Sequence, residues 1–199
     1  MKKYLSNVKK GKEMSFIEAD SGNVNPRYGT SEGYEKNCQS SVVTFIARLR
    51  GWNVEVLPFV KDSIMKDLST DQSLAWINSA GEHPKFKFDL SANTMDKMKS
   101  FVESNVAKGE YCTLGGTWRG CNYGHIITVF RDTHGQLIYY DPQKNELKDD
   151  FGINEFFRLM NKGKSEKTAM KLLRIDDCNF DKSVVDYILT RRNKKWKKP

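Results

Sequence analysis

The sequence predicts an α+β fold, in which an early helix is followed by a run of antiparallel strands. Apolar side chains recur at helical spacing in residues 42–49, whereas residues 110–142 alternate in the manner of consecutive strands. Helices placed before and after a run of strands are typical of α+β domains. With 199 residues, the chain can bury such a core without disulfide or metal cross-links.

The first predicted helix follows an irregular loop over residues 20–36, which is rich in Gly, Asn and Ser. Asn37 occupies a position suited to a helix N-cap, which places Cys38 in the first turn. Gly51 is placed to end the helix, and a strand is predicted from residue 52 until Pro58. The apolar face of the helix is formed by Val42, Phe45, Ile46 and Leu49.

The remaining elements are predicted from changes in periodicity. Helices are expected over residues 71–80, 91–107 (with Met95, Met98, Val102 and Val106 on one face) and 153–160, with a closing helix over 181–189. Strands are expected over residues 110–118, 125–132, 136–142 and 171–177. Thr133–Gln136 is the predicted turn of a hairpin.

The net charge of +8 is concentrated in two short segments. Residues 1–12 carry five lysines and residues 190–199 carry six basic groups, with no acidic group in either. Residues 13–189 therefore hold 22 basic against 25 acidic groups. We predict a basic N-terminal extension over residues 1–23, a folded domain over 24–190 and a basic tail over 191–199. Such ends are usually solvated, so nucleic acid is expected to bind at most weakly, through them.

Composition and spacing exclude several classes of protein. No apolar stretch approaches the roughly 20 residues needed to span a bilayer, and no apolar region of a Sec signal peptide follows the first lysines. Four scattered cysteines do not make a disulfide scaffold, although Cys112 and Cys121 could pair across a hairpin. Together with His125 those two cysteines lack the paired spacing of a zinc site, so no metal is expected.

Three residues form a potential catalytic group. The helix dipole and free N–H groups favour a thiolate in the first turn of a helix, where Cys38 is expected. His125 opens a strand and Asp141 ends the next one. If these strands pair through the predicted turn, paired residue numbers sum to about 269, which brings Asp141 near His125. A thiol, an imidazole and a carboxylate serve as nucleophile, base and orienting group in cysteine hydrolases, although each also occurs in purely structural roles.

Short motifs surround these three residues. In the first half they are Asn25-Pro26, Gly33-Tyr34 and Asn37-Cys38-Gln39, with Arg48–Trp52 at the end of the helix. In the second half they are Gly124-His125-Ile126, Gly135-Gln136, Asp141-Pro142-Gln143 and Leu173–Asp177. Over roughly residues 24–190 the sequence resembles the papain-fold toxin family of glutamine deamidases. The resemblance implies a papain-like cysteine hydrolase fold, with the nucleophile at the N-terminus of a helix packed on an antiparallel sheet.

The resemblance implies that Cys38 is the nucleophile, His125 the general base and acid, and Asp141 the group that orients His125. One departure from papain is Glu32, which stands six residues before Cys38 where papain has an oxyanion-hole glutamine.

Side-chain amides are therefore the expected oxyanion donors, together with the backbone N–H of Cys38. Asn37, Gln39 and Gln143 match motif positions and are the candidates for oxyanion or substrate binding. Asn37 is alternatively a helix cap and nothing more.

The activity implied is conversion of a protein glutamine to glutamate through a thioester, without metal or organic cofactor. A papain-like protease or transglutaminase on the same triad is an alternative, as is a non-enzymatic binding or packaging module that uses the basic segments. Members of the family occur as toxin modules of secretion systems and in phage or prophage polyvalent head proteins. This implies a bacterial or phage origin, synthesis in the cytoplasm, delivery into a target cell and no membrane partner. The expected partners are a target protein with a reactive glutamine and a cognate immunity or inhibitor protein.

Overall fold

A computed structural model describes residues 8–20, 22–160 and 165–192. The chain forms two compact units. The first unit contains the described residues up to His83, Pro142–Glu146 and the residues from Asn179 onward. The second unit contains Pro84–Asp141 and Leu147–Cys178, so in chain order it is inserted into the first.

The elements are as follows. The helices are α1 (Phe16–Ala19), α2 (Glu32–Glu35), α3 (Cys38–Leu49), α4 (Ile64–Thr70), α5 (Met95–Asn105), α6 (Asp150–Leu159) and α7 (Lys182–Val185). The strands are β1 (Val54–Val56), β2 (Trp76–Ile77), β3 (Lys87–Phe88), β4 (Tyr111–Thr117), β5 (Gly124–Arg131), β6 (Leu137–Asp141), β7 (Glu146–Lys148), β8 (Lys171–Arg174), β9 (Asn179–Phe180) and β10 (Leu189–Arg191).

Helix α3 is the central element of the first unit. Of its four predicted apolar positions, Val42, Phe45 and Ile46 are buried and Leu49 is partly buried, as the spacing requires. Gly51 ends the helix with φ of 99°, and a Cβ there would lie 2.7 Å from the backbone oxygen of Gly11. The prediction of this helix and of its glycine stop is confirmed.

The buried guanidinium of Arg48 joins α3 to its neighbours. It donates hydrogen bonds to the backbone oxygens of Glu18, Ala19 and Val54, at 2.8 to 3.1 Å. The end of α1 and the beginning of β1 are therefore bound to the same side chain of α3. A charged group this deeply buried must have its hydrogen bonds satisfied, and these carbonyls do so.

A six-stranded sheet with the order β3-β8-β4-β5-β6-β7 forms the second unit. The β3–β8, β8–β4, β4–β5 and β5–β6 pairs are antiparallel. Strand β7 begins at Glu146, where the chain leaves the first unit. Helices α5 and α6 pack on one face of the sheet, in a core that includes Met98, Phe101, Val102, Leu114, Ile127, Val129, Ile153, Phe156 and Phe157. The α+β class and the strands predicted between residues 110 and 142 are confirmed.

Two predicted helices are wrong. Residues 71–80 do not form a helix, because only Gln72–Ala75 make a single 3₁₀ turn before the chain extends into β2. The closing helix over residues 181–189 is reduced to the one turn of α7. The chain then continues into β10, which pairs antiparallel with β1. The spacing of Val184, Val185 and Ile188 suggests a longer helix, but the backbone of residues 189–191 is hydrogen-bonded to β1 instead.

The described part of the predicted N-terminal extension is folded onto α3. Ser15 and Glu18 form a reciprocal capping box on α1, and the ring of Phe16 packs edge-on against Phe45, with 5.5 Å between ring centroids. The domain boundaries at residues 24 and 190 stay a prediction, and residues 1–7 and 193–199 of the predicted basic ends lie outside the described residues. Within the described residues, no helix is both long and apolar enough to cross a membrane.

Candidate active site

His125 and Asp141 lie next to each other in the second unit. Nε2 of His125 is 2.7 Å from Oδ2 of Asp141. The side chain of His125 is 10% exposed and that of Asp141 is 0% exposed. A short contact between an imidazole and a carboxylate removed from water fixes the orientation of the ring. The catalytic roles of both residues stay a prediction at this point.

The β5–β6 hairpin creates this contact. Thr128 faces Tyr140 and Val129 faces Tyr139, so the paired numbers sum to 268. Side chains alternate between the two faces of a strand, and directly opposed residues share a face. His125 therefore lies on the same face as Val129, and Asp141 on the same face as Tyr139. This register brings the two side chains together diagonally across the two strands.

Two aromatic rings contact the imidazole. The Trp118 ring lies nearly parallel to it, with 6.0 Å between centroids and 15° between planes. Phe156 of α6 approaches edge-on at 6.4 Å and also packs against Trp118 at 5.6 Å. Sequence analysis did not identify Trp118 as a site residue, because its place in the loop after β4 gives no indication of what it contacts.

Gly124 determines where the backbone of His125 can lie. In the β4–β5 ladder, Gly116 faces His125 and Thr117 faces Gly124. A Cβ at residue 124 would lie 1.9 Å from the backbone oxygen of Gly116. Since no side chain fits there, the close approach of β4 to the start of β5 requires glycine.

Cys38 is the first residue of α3 in the first unit, and its thiol is partly exposed. Asn37 occupies the N-cap position, but its side chain makes no capping hydrogen bond. The first turn of a twelve-residue helix therefore presents backbone N–H groups that Asn37 does not cover. Glu32 is exposed and forms an ion pair with Lys36 instead of a hydrogen bond to the first turn of α3.

Both the oxygen and the nitrogen of the Asn37 carboxamide make hydrogen bonds. Its Oδ1 accepts hydrogen bonds from Asn25 Nδ2 (3.2 Å), Ser41 Oγ (3.3 Å) and Gln143 Nε2 (3.2 Å). Its Nδ2 donates to the backbone oxygen of Leu57 (3.2 Å) and to Asn25 Oδ1 (3.5 Å). The residue is 2% exposed. These hydrogen bonds hold the Asn37 side chain inside the first unit.

Asn25 connects three segments of the first unit. Its Nδ2 lies within hydrogen-bond distance of Tyr34 O (2.9 Å), Asn37 Oδ1 (3.2 Å) and Gln143 O (3.0 Å). Asn25, Asn37 and Gln143 are all buried. We call these three side chains the amide cluster. Asn25 belongs to the Asn25-Pro26 motif, but the sequence alone does not indicate that this loop residue is buried.

Gln39 follows Cys38 in the first turn of α3. Its Oε1 is buried and accepts no hydrogen bond from the described residues. Gln143, by contrast, contributes both its side-chain Nε2 and its backbone oxygen to the amide cluster. Of the three candidate amides, Asn37 and Gln143 are therefore bound to each other in the amide cluster, and Gln39 lies outside it.

A family model described as papain fold toxin 1, glutamine deamidase, matches residues 36–146. The matched span is 111 of the 199 residues, and it contains Cys38, His125 and Asp141 as well as Asn37, Gln39 and Gln143. No curated protein matches the chain. The predicted family and the predicted papain-like α+β fold are confirmed.

Proposed function

The chain belongs to the papain-fold toxin 1 family of glutamine deamidases, and on that basis we propose that it is a cysteine-dependent protein-glutamine deamidase that acts as a toxin or effector. The observation that carries the proposal is the family match over residues 36–146, which includes the partly buried contact between His125 and Asp141. The position of Cys38 at the start of a helix supports its role as nucleophile.

Cys38 provides the thiolate that attacks the carboxamide carbon of a substrate glutamine. Since Asp141 binds Nε2 of His125, Nδ1 is the nitrogen that takes the thiol proton. Asp141 keeps the ring in one tautomer and stabilises the imidazolium that results. The ring stacking of Trp118 further restricts rotation of the imidazole.

The reaction then proceeds in two halves. The thiolate forms a C–S bond, and the tetrahedral intermediate collapses by breaking the C–N bond while His125 protonates the departing ammonia. In the second half His125 removes a proton from water, and the resulting hydroxide attacks the thioester carbon. The C–S bond breaks, and glutamate and the thiol are released. No metal or organic cofactor takes part.

The oxyanion of each tetrahedral intermediate is stabilised by the Cys38 backbone N–H together with a side-chain amide. The contacts of Asn37 favour a positioning role for that residue. Gln39 and Gln143 are the proposed donors. An oxyanion donor of this kind typically contributes a factor of about 10²–10³ to kcat.

The proposal extends to the biological setting. The protein would be of bacterial or phage origin, made in the cytoplasm and delivered into a target cell. Its partners would be a target protein with a reactive glutamine and a cognate immunity or inhibitor protein. These statements rest on the family membership alone.

Mass spectrometry of a proteome treated with the full chain tests the activity. We expect glutamines whose mass rises by about 1 Da, as replacement of an amide by a carboxylate requires. The Cys38→Ala variant should give none, whereas Cys121→Ala, which removes another partly exposed thiol, should act like the parent. Peptide cleavage would instead indicate a protease, and incorporation of an added amine a transglutaminase. Unmodified proteins under all conditions would overturn the proposal.

A further inference from the structure

Three lysines run beside the turn that follows α3. The Gly11 N–H donates to the backbone oxygen of Gly51 at 2.9 Å, which attaches this segment to the folded unit. Lys9, Lys10 and Lys12 are exposed. Nζ of Lys10 lies 5.0 Å from the ring centroid of Trp52. The lysines next to Gly11 are therefore held at a defined place on the first unit.

Two arginines reach the same turn from the other end of the sequence. Arg191 pairs with Val54 in the β1–β10 ladder, and the Arg192 N–H donates to the backbone oxygen of Asn53 at 3.0 Å. The attachment points of both segments lie within residues 51–54, which extend over at most about 11 Å. Two basic segments that are about 180 residues apart in sequence thus meet on one surface.

We call Lys9, Lys10, Lys12, Arg191 and Arg192 the basic surface. Residues 8–12 and 190–192 contain no acidic residue. The nearest acidic groups in the N-terminal segment are Glu13, which follows Lys12, and Glu18, whose pKa is lowered by its hydrogen bonds to Ser15 and, to a smaller extent, by Lys12. The sequences next to them, residues 1–7 and 193–199, carry six further lysines and lie outside the described residues. The backbone attachment points are about as close together as the Debye length of roughly 8–10 Å in physiological salt, which is the condition for charges on the two segments to act on one ligand.

We propose that the basic surface binds the phosphate backbone of double-stranded nucleic acid, independently of the reaction at Cys38. Three of the five residues are lysines, which are depleted in protein–protein interfaces, and both lysine and arginine bind phosphate groups, lysine as a point charge. Trp52 is only 6% exposed, so its ring is not available for stacking on bases. Binding through point charges alone is independent of sequence.

The test uses the full chain and a labelled 12-base-pair DNA duplex, followed by fluorescence anisotropy between 50 and 200 mM salt. About five phosphate contacts should weaken binding by roughly 10²–10³-fold over this range. We expect two variants to show a shallower slope of log affinity against log salt. The slope should fall by about three phosphate contacts in Lys9→Gln/Lys10→Gln/Lys12→Gln and by about two in Arg191→Gln/Arg192→Gln. Glutamine retains most of each side chain, and thermal unfolding checks that both variants fold.

A matched control removes the same charge elsewhere. Lys85, Lys97 and Lys108 are exposed in the second unit, and changing all three to Gln should leave the salt dependence unaltered. Equal losses in the control would show diffuse attraction and overturn the proposal. So would a loss confined to one of the two segments, because the surface would then not be shared. Binding of polyglutamate but not of the duplex would assign the surface to an acidic polypeptide. The Cys38→Ala variant should bind the duplex like the parent, which separates this test from that of the deamidase.

Discussion

The carboxylate of Asp141 lies 2.7 Å from Nε2 of His125, and its side chain has no exposed surface. Because the carboxylate is buried, salt screens this interaction much less than it screens an exposed ion pair, and in the proposed mechanism Asp141 orients the ring. The pair is formed by neighbouring strands of one hairpin.

Replacing Asp141 by Asn should keep the fold but lower kcat by about 10²–10⁴-fold, because an amide still contacts the ring but does not stabilise an imidazolium. Ammonia release from a protein substrate measures the rate, and thermal unfolding measures the stability. A variant with unchanged kcat would remove Asp141 from the proposed mechanism.

Cysteine labelling provides a test without any substrate. We expect iodoacetamide to alkylate Cys38 at pH 7 at least about tenfold faster than Cys121, which is equally partly exposed but lies in a loop. Cys112 should stay unlabelled in the folded protein, because burial raises the pKa of its thiol to about 12. The thiolate of Cys112 therefore forms only near that pH, and raising the pH from 7 to 10 should not label it.

Tandem mass spectrometry of the alkylated peptides identifies the modified residues. Unfolding in urea is the control, since all four cysteines should then react similarly. Equal rates for Cys38 and Cys121 in the folded protein would argue against Cys38 as the nucleophile.

Substitution of Gly124 by Ala should destabilise the protein by several kcal/mol, about 2–4, because the added methyl group collides with the backbone of Gly116. Gly120 is the matched control. It has φ of 73° with no atom within 4 Å of its Cβ position, so Gly120→Ala should cost only about 1–2 kcal/mol. Urea unfolding gives both values. Equal small losses would show that β4 and β5 separate easily at this point.

The amide cluster predicts a pH-dependent effect. Asn25→Asp places a carboxylate against three oxygen acceptors, those of Tyr34, Asn37 and Gln143. The folded state then favours the protonated acid, so the pKa of the new group is raised above its unfolded value. The variant should lose about 3 kcal/mol relative to the parent at pH 7, and less as the pH falls towards 4, where the protonated acid donates one hydrogen bond.

Asn53→Asp is the control for this experiment. Asn53 Oδ1 accepts a hydrogen bond from Arg48 at 3.1 Å, so a carboxylate there faces a cation and should cost little at either pH. Urea unfolding of both variants and the parent at pH 4 and pH 7 measures the free energies of unfolding that are compared. A loss that is the same at both pH values would contradict the proposed contacts of Asn25.

The parts of the fold that the sequence predicts well depend on local patterns. The alternation of apolar and polar residues identifies β4, β5 and β6. One tight turn places Asp141 near His125, and the expected sum of paired residue numbers differs from the observed sum by one. The pairing of β1 with β10 was not foreseen, because strands of three residues separated by more than 130 positions have no local pattern. The burial of Asn25 and Asn37 was equally hidden, since asparagine is usually exposed and its burial depends on partners distant in sequence.

The pairing of β1 with β10 closes a long loop of the chain. Val56 pairs with Leu189, which lies 133 residues later in the sequence. All residues of the second unit, Pro84–Asp141 and Leu147–Cys178, lie between these two strands in the sequence. Closing so long a loop is slow, and domains fold as units during translation. The contact between His125 and Asp141 therefore depends on the short loop of one hairpin, whereas the last strand of the unit that carries Cys38 depends on a long one.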